Sequence, residues 1–287
     1  MSSDTGGEIV GYNSRISTFF SGILGWGSAI VFFFPVFWMV LTSFKEEADA
    51  QNETPIFIFD ASFDRYREVI DSTQGTLTFA KAFGNSFFVV AVSTVIVLIL
   101  AIPAAYSLAI KPIDKWRDVL FFFISTKFLP IAAAVLPLFF FARFFDLLDT
   151  RTVLVIVYTA LNLPLAVWMM RSFFNEVPKE LIEAAQIDGA SLTSQLRSVI
   201  MPIVSPGIAA TALLCFIFAW NEYFLALNLT TFDAQTVSLW VTTNVDTRGP
   251  FLAKLSAAAT VASIPVILAG WVAQKRLVRG LSLGAIK

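Results

Sequence analysis

Four stretches of this chain carry no charged side chain: 16–44, 82–110, 152–170 and 255–274. Each is close to or beyond the ~20 residues that an α-helix needs to cross a hydrocarbon core of about 30 Å. Two further runs are interrupted once each, 119–142 by Lys127 and 198–232 by Glu222. A chain built this way has little choice of solvent. Only 14% of its residues are charged, against about 25% in a soluble domain. The pattern predicts an all-α integral membrane protein with six transmembrane helices, at about 17–43, 82–110, 119–142, 152–170, 202–227 and 255–274.

The same composition removes several function classes. A net charge of −1 offers no surface to nucleic acid. Cys215 is the single cysteine, so neither an internal disulfide nor a thiolate metal cluster can form. Histidine, the commonest metal ligand and general base, is absent. No G-x-x-x-x-G-K-[ST] loop is present to cradle a nucleotide phosphate. The chain is therefore expected to hold no metal, to need no cofactor of its own and not to be an enzyme. The first apolar run is far longer than a signal-peptide core and reads as a retained span.

Lys and Arg favour the cytoplasmic face of a membrane protein. With residues 1–16 placed inside, the inner segments hold eleven basic residues and the outer ones eight. The basic tail 275–287 also falls inside, and the acidic stretch 46–71 outside. Both termini are thus expected in the cytoplasm. Pro35 marks a kink in the first span. Pro130 and Pro137 in the third span should release backbone groups into the bundle. In the long outer loop, Phe63, Tyr66, Val69 and Ile70 recur at helical spacing and predict a short amphipathic helix.

The polar segment 178–202, between spans four and five, has its own logic. Pro178 suits a first helical turn, and Glu180 and Glu183 lie near the positive end of that helix. Leu181, Ile182, Ala185 and Ile187 would form its apolar side. Gly189 should close it in a left-handed conformation. Ser191 can cap a second piece whose apolar face is Leu192, Leu196, Val199 and Ile200. Pro202 and Pro206 then open span five. The expectation is a helix-turn-helix of two short pieces outside the bilayer, with small Ala184 and Ala185 admitting a partner surface, Glu183 offering it a carboxylate, and Asp188–Gly189 fixing the turn.

Glu183-Ala184-Ala185, then Gly189, then Pro202, with Val199 and Met201 at the two apolar positions before it, resembles the E-A-A…G…I-x-L-P coupling loop of ABC-importer permeases. Other segments extend the likeness over about residues 17–287. They include Trp38 with Ser43-Phe44-Lys45, Asn85-Ser86, Ala104-Ala105-Tyr106, Pro137-Leu138 and Leu147-Leu148-Asp149-Thr150. Leu163-Pro164, Phe173-Phe174, Trp220-Asn221-Glu222-Tyr223 and the C-terminal Gly280-Leu-Ser-Leu-Gly284-Ala-Ile-Lys287 complete the set. Together they resemble carbohydrate-type ABC importer permeases, similar to the six-span maltose-type subunit. That likeness implies the ABC type I importer permease fold in a bacterial inner membrane. It implies a second homologous permease, two copies of an ABC ATPase subunit that bind ATP and Mg, an extracytoplasmic solute-binding protein, and a sugar or polyol as the solute. It also implies ATPase contacts at Glu183, Ala184, Ala185, Asp188, Gly189 and Pro202 and at the tail residues Gly280, Leu281, Gly284 and Lys287. An ion-coupled secondary carrier for a small polar solute is the alternative, but such carriers need buried ionisable relays and often inverted repeats. The polar residues at membrane depth are candidates for a translocation path: Lys127, Asn162, Asn221 and Glu222.

Overall fold

A long helix, α1 (Arg15–Thr42), stands almost free of the rest of the chain. It belongs to a computed structural model that describes residues 15–74, 77–111, 113–243 and 251–284. Phe19, Trp26 and Phe32 project from it into the surroundings. The helix continues through Pro35 as one element. Beyond it, the short α2 (Glu47–Ala50) uses the Glu47 carboxylate to accept the backbone N–H groups of Ala253 and Lys254, at 3.2 and 3.4 Å. Those N–H groups are orphans at the start of the last helix. Helix α3 (Asp64–Asp71) is the amphipathic segment anticipated from the loop sequence. Its apolar stripe is divided, however. Val69 is buried and Tyr66 meets Ser43 Oγ at 2.6 Å, whereas Phe63 and Ile70 are exposed. A two-stranded antiparallel hairpin, β1 (Thr73–Gln74) and β2 (Leu77–Thr78), leads on to the bundle.

The centre of the bundle is the pair α4 (Phe79–Ala109) and α7 (Arg151–Asn175). In α4 the buried positions Ala82, Ser86, Val89, Val90, Ser93, Val97, Ala101, Ala105 and Leu108 recur every three to four residues. That spacing makes one face of a 3.6-residue helix, and small side chains along it let α7 approach closely.

Between them the run read as the third span is broken. Helix α5 (Trp116–Ser125) passes through a 3₁₀ turn, Thr126–Phe128, and α6 (Ile131–Phe144) leaves at 93°. The cause is Pro130. It has no N–H to give, and it holds Leu129 in an extended conformation (φ −67°, ψ 123°), the conformation favoured before proline. Pro137, by contrast, sits inside α6 without ending it. Among the described residues, five helices are long and apolar enough to cross a membrane, and the bent pair makes six when taken as one span.

After α7 come α8 (Lys179–Ile187), a single turn α9 (Leu192–Ser194), a π-helical turn Gln195–Ile200, and α10 (Met201–Trp220). The second piece of the polar segment is therefore not a separate short helix. It runs without a break into span five, from Leu192 to Trp220. Pro202 and Pro206 each remove a donor from this helix, and the wider π turn just ahead of Pro202 absorbs the mismatch, Met201 N–H reaching Leu196 O. At the other end α10 stops at Trp220, short of residue 227, and α11 (Phe224–Leu229) is a separate helix. Helix α12 (Val237–Thr243) and the long α13 (Leu252–Gly284) follow.

Two apolar cores result. One lies toward α3 and α12, around Tyr158, Leu225, Leu239 and Trp240. The other lies toward α8, around Val97, Met170, Phe174, Ile200 and Cys215.

Candidate coupling segment and polar cavity

Helix α8 shows two faces. Ile182 and Ala185 are buried, at 7% and 8% exposure, and Ile182 joins the apolar cluster of Val177 and Phe174. Leu181, Glu183, Ala184 and Asp188 are exposed, and Ile187 is 87% exposed. Leu181 and Ile187 thus do not share the buried side with Ile182 and Ala185, because a turn of 100° per residue carries them round to the outside. Leu192, grouped by sequence with the buried Ile200, is likewise exposed. The helix ends as its glycine requires. Gly189 has φ +73°, with its N–H on Gln186 O at 3.0 Å, and Ala190 N–H returns to Ala185 O at 2.9 Å. Ser191 Oγ accepts the N–H of Ser194 at 3.3 Å, and Gln195 Nε2 donates to Ala190 O at 2.7 Å. These bonds make the turn a fixed corner. Behind it, α7 and α10 touch where Gly207 faces the Phe173 ring so closely that any Cβ there would overlap it.

The membrane-depth polar residues divide into two groups. Lys127, Asn162 and Glu222 line one cavity of about 470 Å³, together with Tyr158, Leu138 and Phe218. The break in the third span brings Lys127 there, and its ammonium donates to Leu161 O at 2.8 Å. Asn162 Nδ2 donates to Tyr158 O at 3.0 Å, and Tyr158 donates its hydroxyl to the Glu222 carbonyl at 3.1 Å. The Glu222 carboxylate accepts the N–H of Leu225 at 2.8 Å, an otherwise orphan donor in the first turn of α11. Asn221 is not part of this group. Its amide donates to Ile217 O at 2.8 Å, and it lines a second cavity with Met39, Tyr223, Ser238 and Ser263. Gly280, Leu281 and Gly284 fall in the last turns of α13, whose surroundings lie outside what is described, and Lys287 lies outside the described residues.

Sequence reasoning missed a third constellation, at the α12 end. Asp149, itself at φ +55°, accepts the backbone N–H groups of four consecutive residues, Thr231 to Ala234, at 3.0–3.1 Å. Burial pushes the Asp149 carboxyl up, but these donors outweigh it and hold it below its ordinary value. Asn85 donates to the carbonyls of Asp233 and Gln235 and accepts from Arg151 Nε, all within 3.0 Å. Lys81 meets the Asp233 carboxylate at 2.7 Å, and Ser86 Oγ accepts the N–H of Val237 at 2.7 Å. In the sequence Asn85 and Asp149 carry only the resemblance of the strings Asn85-Ser86 and Leu147-Leu148-Asp149-Thr150. No periodicity links residues 85, 149 and 233, so their meeting follows from the fold alone.

Long apolar helices around a small polar cavity, with one rigid polar corner between two of them, define a multi-span membrane protein of the permease class. Residues 98–282 match the binding-protein-dependent transport system inner membrane component family, and the chain belongs to it. It is thus a multi-pass inner-membrane permease component, not an enzyme in itself. It is 36% identical over 259 residues to the "Probable ABC transporter permease protein y4oR" of Sinorhizobium fredii, covering 90% of this chain and 92% of that one. It is 33% identical over 256 residues to the trehalose transport system permease protein SugB of Mycobacterium tuberculosis, covering 88% and 92%. Among solved structures it resembles a chain of a bacterial ABC transporter involved in import of the acidic polysaccharide alginate. That match has a TM-score of 0.73 and 25% identity, over 94% of this chain and 99% of the other.

Proposed function

We propose that this chain is one permease half of an ATP-driven importer for a sugar or polyol. A second homologous permease completes the channel. Two copies of an ABC ATPase subunit, which carry the ATP and Mg, engage it from the cytoplasm, and an extracytoplasmic binding protein delivers the solute. Residues 1–16, α8 and the tail 275–287 face the cytoplasm. The spans are α1, α4, the bent pair α5–α6, α7, α9–α10 and α13. The sugar or polyol reading is supported by relatives such as the trehalose permease SugB.

The observation that supports the coupling role is the outer face of α8. Leu181, Ala184 and Ile187 are apolar and exposed beside the Glu183 carboxylate, on a corner closed by Gly189. An apolar patch with one charge at its centre suits a protein partner better than it suits water. A rigid corner passes on a push that a loose loop would absorb. ATP closes the ATPase dimer, α8 and the start of α10 move together because the corner at Gly189 is fixed and no break separates α9 from α10, and the cavity changes the side to which it opens. The energy is the differential binding of ATP to the two states. Lys127, Asn162 and Glu222 stand on the translocation path.

The test is uptake by the complete transporter in membrane vesicles supplied with ATP. Glu183→Lys is expected to abolish uptake at unchanged membrane abundance. Normal uptake by that variant would reduce α8 to a passive surface helix.

A further inference from the structure

Lys127 and Glu222 share a cavity without forming an ion pair with each other. An ammonium has three N–H donors. Leu161 O takes one, and among the described residues nothing takes the other two. The Glu222 carboxylate gives one oxygen to Leu225 N–H, leaving the second as an acceptor. Asn162 uses its amide N–H on Tyr158 O and keeps its carbonyl oxygen. Leu138, Leu165 and Phe218 give the same cavity an apolar lining. Lys127, from the broken third span, therefore brings free donors to the cavity, and Asn162 of α7 and Glu222, just past the end of α10, bring free acceptors. A charge at membrane depth is retained only where it faces a cavity or a partner, and here two opposite charges line one cavity without pairing.

We propose that Lys127 and Glu222 make this cavity selective for an uncharged polyhydroxylated solute. A hydroxyl both donates and accepts, so neighbouring hydroxyls serve Lys127 and the free acceptors together, and the apolar lining meets the carbon face of the solute. An anion is drawn to Lys127 and repelled by Glu222, and a cation the reverse. Neither gains what the hydroxyls gain. Each charged residue is thus a specificity determinant, and the loss of either tilts the cavity toward one sign. The inference rests on the permease reading and deepens it.

The test uses the complete transporter in membranes, with Cys215→Ser and with Ala134→Cys, on the wall of the same cavity, as a reporter. Three methanethiosulfonates of similar size are compared: neutral hydroxyethyl, anionic ethylsulfonate and cationic ethyltrimethylammonium. Lys127→Met is expected to shift the anionic-to-cationic rate ratio about tenfold toward the cation. Glu222→Gln should shift it about tenfold toward the anion, and the double variant should return it to the starting value. Lys127→Gln gives the same reading if the Met variant does not assemble. With both charges present, mannitol and trehalose should slow labelling by the neutral reagent, and gluconate and glucosamine should not. A ratio unmoved by either single variant, shifts of the same sign, or equal protection by the charged sugars overturns the proposal. Each of those results leaves the Glu183→Lys uptake test of the permease reading standing.

Discussion

Both oxygens of the Asp149 carboxylate accept the backbone N–H of Asp233, at 3.1 and 3.0 Å. A side chain from the loop before α7 thereby fixes the segment between α11 and α12, which Asn85 and Lys81 of α4 hold from the other side. Three helices that are far apart in sequence are tied at one end of the bundle by polar bonds rather than by packing.

Asp149→Asn removes the charge and half of the accepting capacity. It keeps a side chain that tolerates the left-handed conformation of this position. Hydrogen bonds to a charged group contribute about 1.5–3 kcal/mol each when buried. Asp149 is only partly buried and its bonds share two oxygens, so a total loss of about 1–2 kcal/mol is expected, screened by solvent. Thermal unfolding of the purified complex is the measurement, and a variant that melts with the parent would show that the tie adds nothing.

The same carboxylate makes the tie sensitive to acid. Its pKa in the folded protein lies below the ordinary value, so its contribution is complete above the unfolded value of about 3.9. That contribution is lost as pH falls through the folded value. The stability gap between parent and Asp149→Asn should therefore be widest near neutral pH and narrow as pH falls below the ordinary carboxylate range. Melting curves of both proteins from pH 7 to pH 3 check this, and a gap that stays constant would exclude the carboxylate as its source.

Helix positions were legible in the sequence because an uncharged run of membrane length leaves the backbone one way to satisfy its polar groups. The closure at Gly189 was legible for a similar reason, since a glycine after a polar helix favours one backbone conformation. What could not be read were the consequences of proline in context. Pro130 breaks its helix by 93° while Pro35, Pro137 and Pro206 are carried inside theirs. The difference is that Leu129, before Pro130, is extended, whereas the other three lie within continuous helix. Sequence also grouped Asn221 with Glu222 on the candidate translocation path, and just past the end of α10 at Trp220 the two residues line different cavities.

Gly207 tests how closely α7 and α10 must pack behind the corner. A Cβ at this position would overlap the Phe173 ring, and overpacking of this kind costs about 1–3 kcal/mol. Gly207→Ala should lower the melting temperature and uptake together. Gly207→Ala with Phe173→Leu should recover most of both, because the space the methyl needs is then vacant. A double variant no better than the sum of the two single ones would place the strain elsewhere.

Lys127 offers the sharpest separation between a pathway residue and a lysine that merely reaches toward the membrane surface. Its ammonium sits on Leu161 O beside the cavity, three residues before Pro164 in α7. Lys127→Met keeps the unbranched stem and removes the charge, whereas Lys127→Ala removes both. A charged side chain at the centre of a spanning helix costs about 2.5–3.5 kcal/mol on insertion scales, so Met should insert at least as well as Lys. If Lys127 serves the cavity, both variants lose uptake by tenfold or more at equal membrane abundance. If it only snorkels, Met transports normally and Ala loses little beyond packing. Uptake normalised to the amount of assembled complex decides between them, and a fully active Met variant would remove Lys127 from the path.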